Sequence, residues 1–316
     1  MSIFISIASY RDPLLWETVG ECMRNAADPK SLKIAVVDQS ESPLALEQLP
    51  YREQIRYIHL DHRYSRGPCW ARSLALTLYG GEHHVLQIDS HSAFDAGWDA
   101  TLVDQLTRLK TQSAKPVIST YPCSFQRGPD GPVKQASPGH ALVLRPLRNA
   151  QMSDDDPAFG FEANPVKTTL PQAGHHLGAG CIFSYGRFFL EVPYDPVLYF
   201  LGEEQSLAVR AWTRGWDIFH VPDVPIYHLY AASGERAVHW NADDDAQRQL
   251  RWWQLDQASK ARLRALLYEG TPLGVYGLGQ TRTLQDFSDF CGIDYRSRTI
   301  RRGPALGPLI GTGPQI

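Results

Sequence analysis

The strongest constraint on the fold is the order in which apolar runs and helix signals alternate, with a polar group standing just past each run. Ile3 to Ala8 is an almost unbroken apolar stretch, the pattern of a strand covered on both faces. Asp12-Pro13 then reads as a helix start, aspartate as N-cap and proline at the first helical position, with Leu14, Leu15, Val19, Cys22 and Met23 as its inward stripe. Leu32 to Val37 is a second strand ending at Asp38-Gln39-Ser40, and Ile55 to Leu60 a third ending near Asp61-His62. Gly67-Pro68 opens a helix through Leu78, and Val85 to Ile88 is a strand that delivers Asp89-Ser90-His91. The resulting order, β-α-β-β-α-β, specifies an α/β architecture with a mostly parallel central sheet. Ligands of such sheets sit in the crevice beyond the strand carboxyl ends, where these polar groups converge.

Further along, the pattern predicts a helix from Trp98 to Leu109, a strand from Val117 to Thr120, and a Gly- and Pro-rich loop from Cys123 to Gly139 forming a mobile rim. Strands over Cys181 to Phe189 and Ile218 to Val221 flank a helix from Glu203 to Arg214, and the sheet closes near Tyr230. Asp243 to Asp245 is expected to cap a long helix carrying Leu250, Trp253, Leu263, Leu266 and Leu267, and Gly277 with Gly279 to turn into a helix capped near Thr283. The chain therefore divides into a main domain at 1–240, a helical C-terminal appendage at 241–300 and a flexible tail at 301–316.

Composition narrows the function classes. Hydrophobic residues make up 43% of the 316 residues, too many for a disordered chain. With 31 Lys and Arg against 34 Asp and Glu, the net charge of −3 offers no nucleic-acid footprint, so an anionic ligand has to be held locally. Five dispersed cysteines without a C-x-x-C pair predict neither a disulfide framework nor a zinc site. The opening residues lack a basic leader, and no stretch approaches the ~20 apolar residues that span a bilayer, so a cytoplasmic protein without a transmembrane segment is expected. A phosphate-binding G-x-x-x-x-G-K-[ST] loop and a dinucleotide fingerprint are both missing.

The sharpest chemical feature is Asp89-Ser90-His91. Residues two apart in an extended segment point to the same side, so the carboxylate and the imidazole can share one divalent cation. A mixed oxygen and imidazole set suits manganese or another first-row ion better than calcium. Such a string also arises by chance, and a third ligand must come from distant sequence. His228, in Ile226-Tyr227-His228-Leu229-Tyr230, is a candidate, with a hydrogen-bonded core histidine as the alternative. Glu203-Glu204 after Gly202 reads either as favourable charge in a first helical turn or as a catalytic pair. Gly178-Ala179-Gly180-Cys181 reads either as a turn or as a wall against which a bulky ligand meets backbone.

Taken in order, SIASYRDP from Ser6 to Pro13, Gly67-Pro68 with Ala71-Arg72, QIDSH from Gln87 to His91, GAGCIF from Gly178 to Phe183, FLGEE from Phe200 to Glu204, and Trp216-Asp217 followed by His228 form a scheme. On these blocks the sequence resembles the GlcNAc-transferase family that includes the cytoplasmic polypeptide α-GlcNAc-transferases acting on hydroxyproline. The resemblance covers roughly Ser2 to Tyr230, with weaker similarity around Leu278-Gly279. It implies a GT-A fold, a UDP-sugar donor, a divalent metal ion (Mn2+, or Mg2+) and retention of anomeric configuration. In that picture Ala8, Ser9, Tyr10 and Arg11 line the uridine pocket with Gln39 and Arg72 nearby, and Gly67, Ser90 and Gly180 belong to the donor side. Asp89, His91 and His228 hold the metal against the diphosphate, as in the related D-x-H of mucin-type GalNAc-transferases. Glu203 and Glu204 bind donor hydroxyls and orient the acceptor, Glu204 on the acceptor side. The donor sugar favoured is GlcNAc, before GalNAc or glucose, and the acceptor is a hydroxyl on a glycan, polypeptide or lipid-linked partner, chosen by the segments Cys123 to Gly139 and Met152 to Gln172.

Two rival classes remain. A metal-dependent phosphohydrolase of nucleotide-sugars would add Asp61 and His62 to the ligand set. A non-catalytic carbohydrate-binding protein would use Trp16, Trp98, Trp212 and Trp216 as stacking platforms.

Overall fold

The structure, a computed structural model, describes residues 1–230 and 237–301. Its first half runs β1 Ile3–Tyr10, α1 Leu15–Asn25, β2 Leu32–Ser40, β3 Ile55–Asp61, α2 Pro68–Leu76, β4 His84–Asp89, β5 Ser92–Phe94, α3 Trp98–Leu109, β6 Pro116–Ser119, β7 Cys123–Gly128, β8 Gly131–Lys134, β9 His140–Pro146 and β10 Phe161–Lys167. The second half runs β11 Gln172–Gly174, β12 Cys181–Tyr185, α4 Phe188–Glu191, α5 Glu203–Thr213, β13 Asp217–His220, β14 Ile226–His228, α6 Ala242–Ala246, α7 Trp252–Leu267 and α8 Leu284–Cys291.

The main sheet has eight strands in the order β11-β13-β6-β12-β4-β1-β2-β3. The block β4-β1-β2-β3 is parallel throughout, and its inner strands β1 and β2 read as nearly continuous apolar runs, while the edge strand β3 is half-buried. Strand β12 enters antiparallel between β4 and β6. Side-chain alternation along β1 sends Ile3, Ile5 and Ile7 into the core beneath α1 and α3, and Phe4 and Ala8 toward the core shared with α2 and α5. Helix α5 is buried along nearly its whole length because Leu263, Leu266 and Leu267 of α7 and Phe287 and Phe290 of α8 close over it, Trp212 stacking on Phe290 with ring centroids 4.4 Å apart. The C-terminal helices thus join the same buried cluster as the sheet.

Four expectations change. The Cys123 to Gly139 segment contains the hairpin β7/β8, part of a four-stranded sheet β5-β14-β7-β8. Its glycines mark the hairpin turn, where Gly128 pairs with Gly131, and Phe125 packs with Ala93 and Tyr227. Within Met152 to Gln172, Phe161–Lys167 pairs with β9. The strand expected to reach Phe189 stops at Tyr185, because Gly186 runs so close to Glu82 that an added Cβ would lie 2.1 Å from its carbonyl oxygen. Asp243 to Asp245 lie in the short α6, capped by Asn241, and the long helix starts at Trp252; Leu250 and Trp253 face outward, although Asp245 still accepts the Trp252 N–H at 2.7 Å. Thr283 caps α8 as expected, through a reciprocal pair with Asp286. The expected tail falls outside the described residues beyond Arg301. Among the described residues all five cysteines are free, and no helix is long and apolar enough to cross a membrane.

Among the buried histidines, His84, His175 and His220 are held without charge. Burial is the main cause in each: it holds His84 down to about 4, helped by the positive charges of His83, the N-terminus and Lys110, and takes His220 to about 4 and His175 to about 3. The unfolded chain binds these protons near pH 6.5 and the folded one does not, so stability is full above pH 6.5 and is lost as pH falls toward 4. At 1.36 kcal/mol per pH unit, His84 alone accounts for a loss of about 3 kcal/mol across that window. His84→Phe keeps the stack on Phe183 and removes the titrating ring. Urea unfolding at pH 7, 5.5 and 4.5 is expected to show a shallower decline for this variant than for the parent protein.

Candidate active site

A cavity of 480 Å³ opens where β1 and β4 end, walled further by the starts of α2 and α5 and by the Ala179-Gly180 turn. Period-two alternation decides which residues of the first block reach it. Ala8 and Tyr10 line the wall, whereas Ser9 is buried on the opposite face of β1 and Arg11 lies outside, paired with Asp244 at 2.6 Å and Glu41 at 3.1 Å. Contiguity in sequence placed the four together; the pleat separates them. The Tyr10 hydroxyl accepts from Arg248, and its ring tilts against His239 at 5.2 Å. Gln39 is oriented by donating to the Ser9 carbonyl at 2.8 Å and accepting the Ser65 hydroxyl at 2.5 Å. Gly67 has φ +94° and a Cβ there would meet the Tyr199 ring at 2.7 Å, so the turn into α2 requires glycine.

On the cavity floor the ligand atoms of Asp89, His91 and His228 all lie within 4.8 Å of one another. The His91 and His228 Nε2 atoms are 2.9 Å apart, and His228 Nε2 is 3.1 Å from Asp89 Oδ2. One carboxylate oxygen and two facing imidazole nitrogens form a donor set that fits a first-row divalent cation. Gly180 makes room for it: a Cβ there would lie 3.3 Å from Asp89 Oδ2 and 3.7 Å from the His228 ring. Burial disfavours ionisation of Asp89, but the His228 hydrogen bond and the Arg72 charge outweigh it and hold the carboxyl well below its ordinary range.

Arg72 joins this floor to α5. Its Nη2 donates to Asp89 Oδ1 and its Nη1 to Glu203 Oε1, both at 2.7 Å. Glu203 also accepts from the Cys69 thiol at 2.6 Å; burial raises its pKa against the opposing pull of Arg72. Glu204, one residue on, faces another wall. It accepts from the Ala179 N–H at 2.6 Å and the Tyr121 hydroxyl at 2.5 Å, with His176 at 3.3 Å. Burial, then the Glu204 charge, pushes the Tyr121 phenol up, which keeps it a donor. The structure thus brings Ala8, Tyr10, Gln39, Gly67, Arg72, Asp89, Ser90, His91, Gly180, Glu203, Glu204 and His228 onto one cavity and leaves out Ser9 and Arg11.

Sequence reasoning missed Asp12, read only as a helix cap, and Tyr121, although its place just past β6 marks it by the strand-end rule. His176 carries no local signal. The rival assignments fare differently. Asp61 is half-buried in an ion pair with Arg63, His62 is buried beside Tyr10, and neither belongs to the Asp89 cluster. Trp98, Trp212 and Trp216 are fully buried, and Trp16 packs partly buried near Tyr57, so none of the four offers an open ring face in this cavity.

The family model described as Glycosyltransferase (GlcNAc) matches residues 2–50 and 41–297. Nothing among curated proteins matches the chain. Among solved structures, GalNAc-T7 crystallised with UDP, GalNAc and Mn2+ superposes with a TM-score of 0.60 at 15% identity, over 95% of this chain and 58% of that one. The chain therefore spans under two thirds of that protein's length, and at this identity the likeness concerns the fold alone. Two structures of S. aureus TarS 1-349, one with UDP-GlcNAc, reach 0.45 at 15% identity, over 84% and 86% of this chain and 72% and 74% of theirs, a likeness too slight to argue from. With its fold and nearly its whole length accounted for, the chain belongs to the GlcNAc glycosyltransferase family and has the GT-A fold.

Proposed function

We propose that the protein transfers a sugar, GlcNAc first among the candidates, from a UDP-sugar to a hydroxyl on a glycan, polypeptide or lipid-linked acceptor, with retention of configuration and in the cytoplasm. The observation that carries this reading is the convergence of Asp89, His91 and His228 on the floor of the cavity. These three would hold a divalent cation, Mn2+ before Mg2+. When bound, the cation supplies Lewis-acid charge where the departing diphosphate gains negative charge, worth several kcal/mol of transition-state stabilisation.

The chain's own residues do the remaining work. Tyr10, Ala8 and Gln39 form the end of the cavity suited to a uracil ring, with the tyrosine held in place by Arg248. Arg72 fixes Asp89 Oδ1, leaving Oδ2 turned toward the imidazoles. Glu203, pinned by Arg72 and Cys69, presents its carboxylate edge to donor hydroxyls. Glu204, held by the Ala179 N–H, Tyr121 and His176, orients the incoming hydroxyl. A retaining transfer needs that hydroxyl on the face the diphosphate leaves, and both carboxylates open onto the same cavity. The catalytic unit spans residues 1–240 and the helical segment 241–300 supports it, since Arg248 buttresses Tyr10 from beyond that boundary.

Thermal-shift measurements with UDP, UDP-GlcNAc, UDP-GalNAc and UDP-glucose, each with and without Mn2+, test the donor assignment. UDP ligands plus Mn2+ are expected to raise the melting temperature by a few degrees, as a native-state ligand at 100 times its Kd adds about 2.7 kcal/mol; greater stabilisation by ADP or GDP than by UDP would refute the uridine pocket. Replacing Asp89 by Ala is expected to lower metal-dependent turnover about 1,000-fold, the rate equivalent of about 4 kcal/mol. Full activity in that variant would refute the metal centre.

A further inference from the structure

We propose that Asp12 is a positioning residue for the cation site, setting the tautomer of His91 so that its Nε2 lone pair faces the ion. The proposal rests on the reading of Asp89, His91 and His228 as a cation centre and adds a residue that lies 77 positions upstream of the D-x-H string, by the difference between 12 and 89.

Asp12 stands in the turn between β1 and α1, with its side chain 3% exposed. Its two oxygens are divided. Oδ1 accepts the Leu14 N–H at 2.9 Å, as a helix-entry aspartate does. Oδ2 is turned the other way and lies 2.7 Å from both the Ser90 hydroxyl and His91 Nδ1. A carboxylate only accepts, so His91 carries a proton on Nδ1, and in the neutral ring this leaves the lone pair on Nε2, which is turned toward His228 and the cavity floor. Ligating histidines are commonly fixed in this way by a carboxylate behind them, and loss of that partner typically weakens metal affinity 10- to 100-fold.

The segment that Asp12 holds is itself clamped to α1. Thr18 donates to the Ser90 carbonyl at 2.9 Å and accepts the Ser92 N–H at 3.0 Å. The turn after β1 and the turn after β4 are therefore locked together, and the carboxylate cannot drift from the imidazole. His228 differs: its buried Nδ1 has no hydrogen-bond partner among the described residues, so no group behind the ring holds its proton away from Nε2, which lies 3.1 Å from Asp89 Oδ2. One imidazole is preset for an ion and the other adapts to it.

Asp12→Asn tests the assignment with little change in volume. The buried Leu14 N–H holds the amide oxygen, which turns the amide nitrogen toward His91 Nδ1 and shifts the histidine proton to Nε2. Mn2+ binding, followed by the electron paramagnetic resonance signal of the free ion, is expected to weaken 10- to 100-fold. The circular dichroism melt is expected to stay within a few degrees of the parent, a separation that a purely structural role would not produce. Unchanged Mn2+ affinity in the variant, beside normal binding by the parent, overturns the positioning role alone; a parent protein that binds no Mn2+ overturns the cation centre and this proposal with it. If the variant does not fold, long-range ¹H–¹⁵N spectra of the histidine-labelled parent decide: a protonated Nδ1 with bare Nε2 on His91 supports the proposal, and an Nε2–H tautomer overturns it.

Discussion

The site is organised around a single buried guanidinium. Arg72, 5% exposed, gives one nitrogen to Asp89 and another to Glu203, so one side chain ties helix α2 to the end of β4 and the start of α5. A buried arginine is tolerated only where its charge is met, and here two carboxylates meet it with good geometry while the Tyr194 ring lies 5.5 Å from its centre. The converse also holds. Arg72 adds to the His228 hydrogen bond in holding the Asp89 carboxyl low and opposes the burial that raises Glu203, and a protonated Asp89 would be a poor ligand. The position of the aspartate is therefore a property of three elements at once.

Charge around that guanidinium does not balance. Among the described residues, Asp12, Asp89, Glu203 and Glu204 all border the cavity, against Arg72 as its cationic wall residue. A pocket with this excess repels a diphosphate, and the Gly-rich backbone cradle that other nucleotide sites use is missing from the sequence. A divalent cation held as proposed would ease both difficulties, because it would satisfy the carboxylate and imidazoles and offset most of the negative charge that a phosphate meets. The overall charge of −3 gives no hint of this; the relevant quantity is the local imbalance.

What could be read in advance follows from the range of each signal. The parallel block was legible because strands covered on both faces are continuously apolar, and the strand-end rule carried Asp89 and His91 straight to the crevice. His228 lies 137 residues beyond His91, and nothing local distinguishes it from a core histidine; only the ordered blocks of a familiar scheme pointed to it. Ser9 and Arg11 were misplaced because a motif is written as a line while a strand presents alternate residues to opposite sides. Asp12 was underread because one oxygen does satisfy the capping role that its sequence context suggests, and no pattern reports what the other oxygen touches. The hairpin within Cys123 to Gly139 was hidden by its own turn residues, since glycine marks a two-stranded turn and a loose loop alike.

The walls of the cavity also differ in how firmly they are built. The floor and the nucleotide end come from strand termini and helix starts: β1, β4, the entry to α2 and the entry to α5. Phe159, Gly160, Leu201 and Trp240, on the remaining side, come from connections between elements. Strand ends are held in register by ladders on both sides, so a ligand that must be gripped at fixed geometry is best met there, whereas connections tolerate substitution and changes of length. In the proposed reading, a sugar-nucleotide and its cation would impose the first requirement, and a variable hydroxyl-bearing acceptor the second. Glu204 stands at the boundary, anchored at the first turn of α5 yet reaching Tyr121 and His176 across the loop after β6 and the turn before β12. Its carboxylate is the point at which the floor proposed for the donor and the wall proposed for the acceptor share one set of hydrogen bonds.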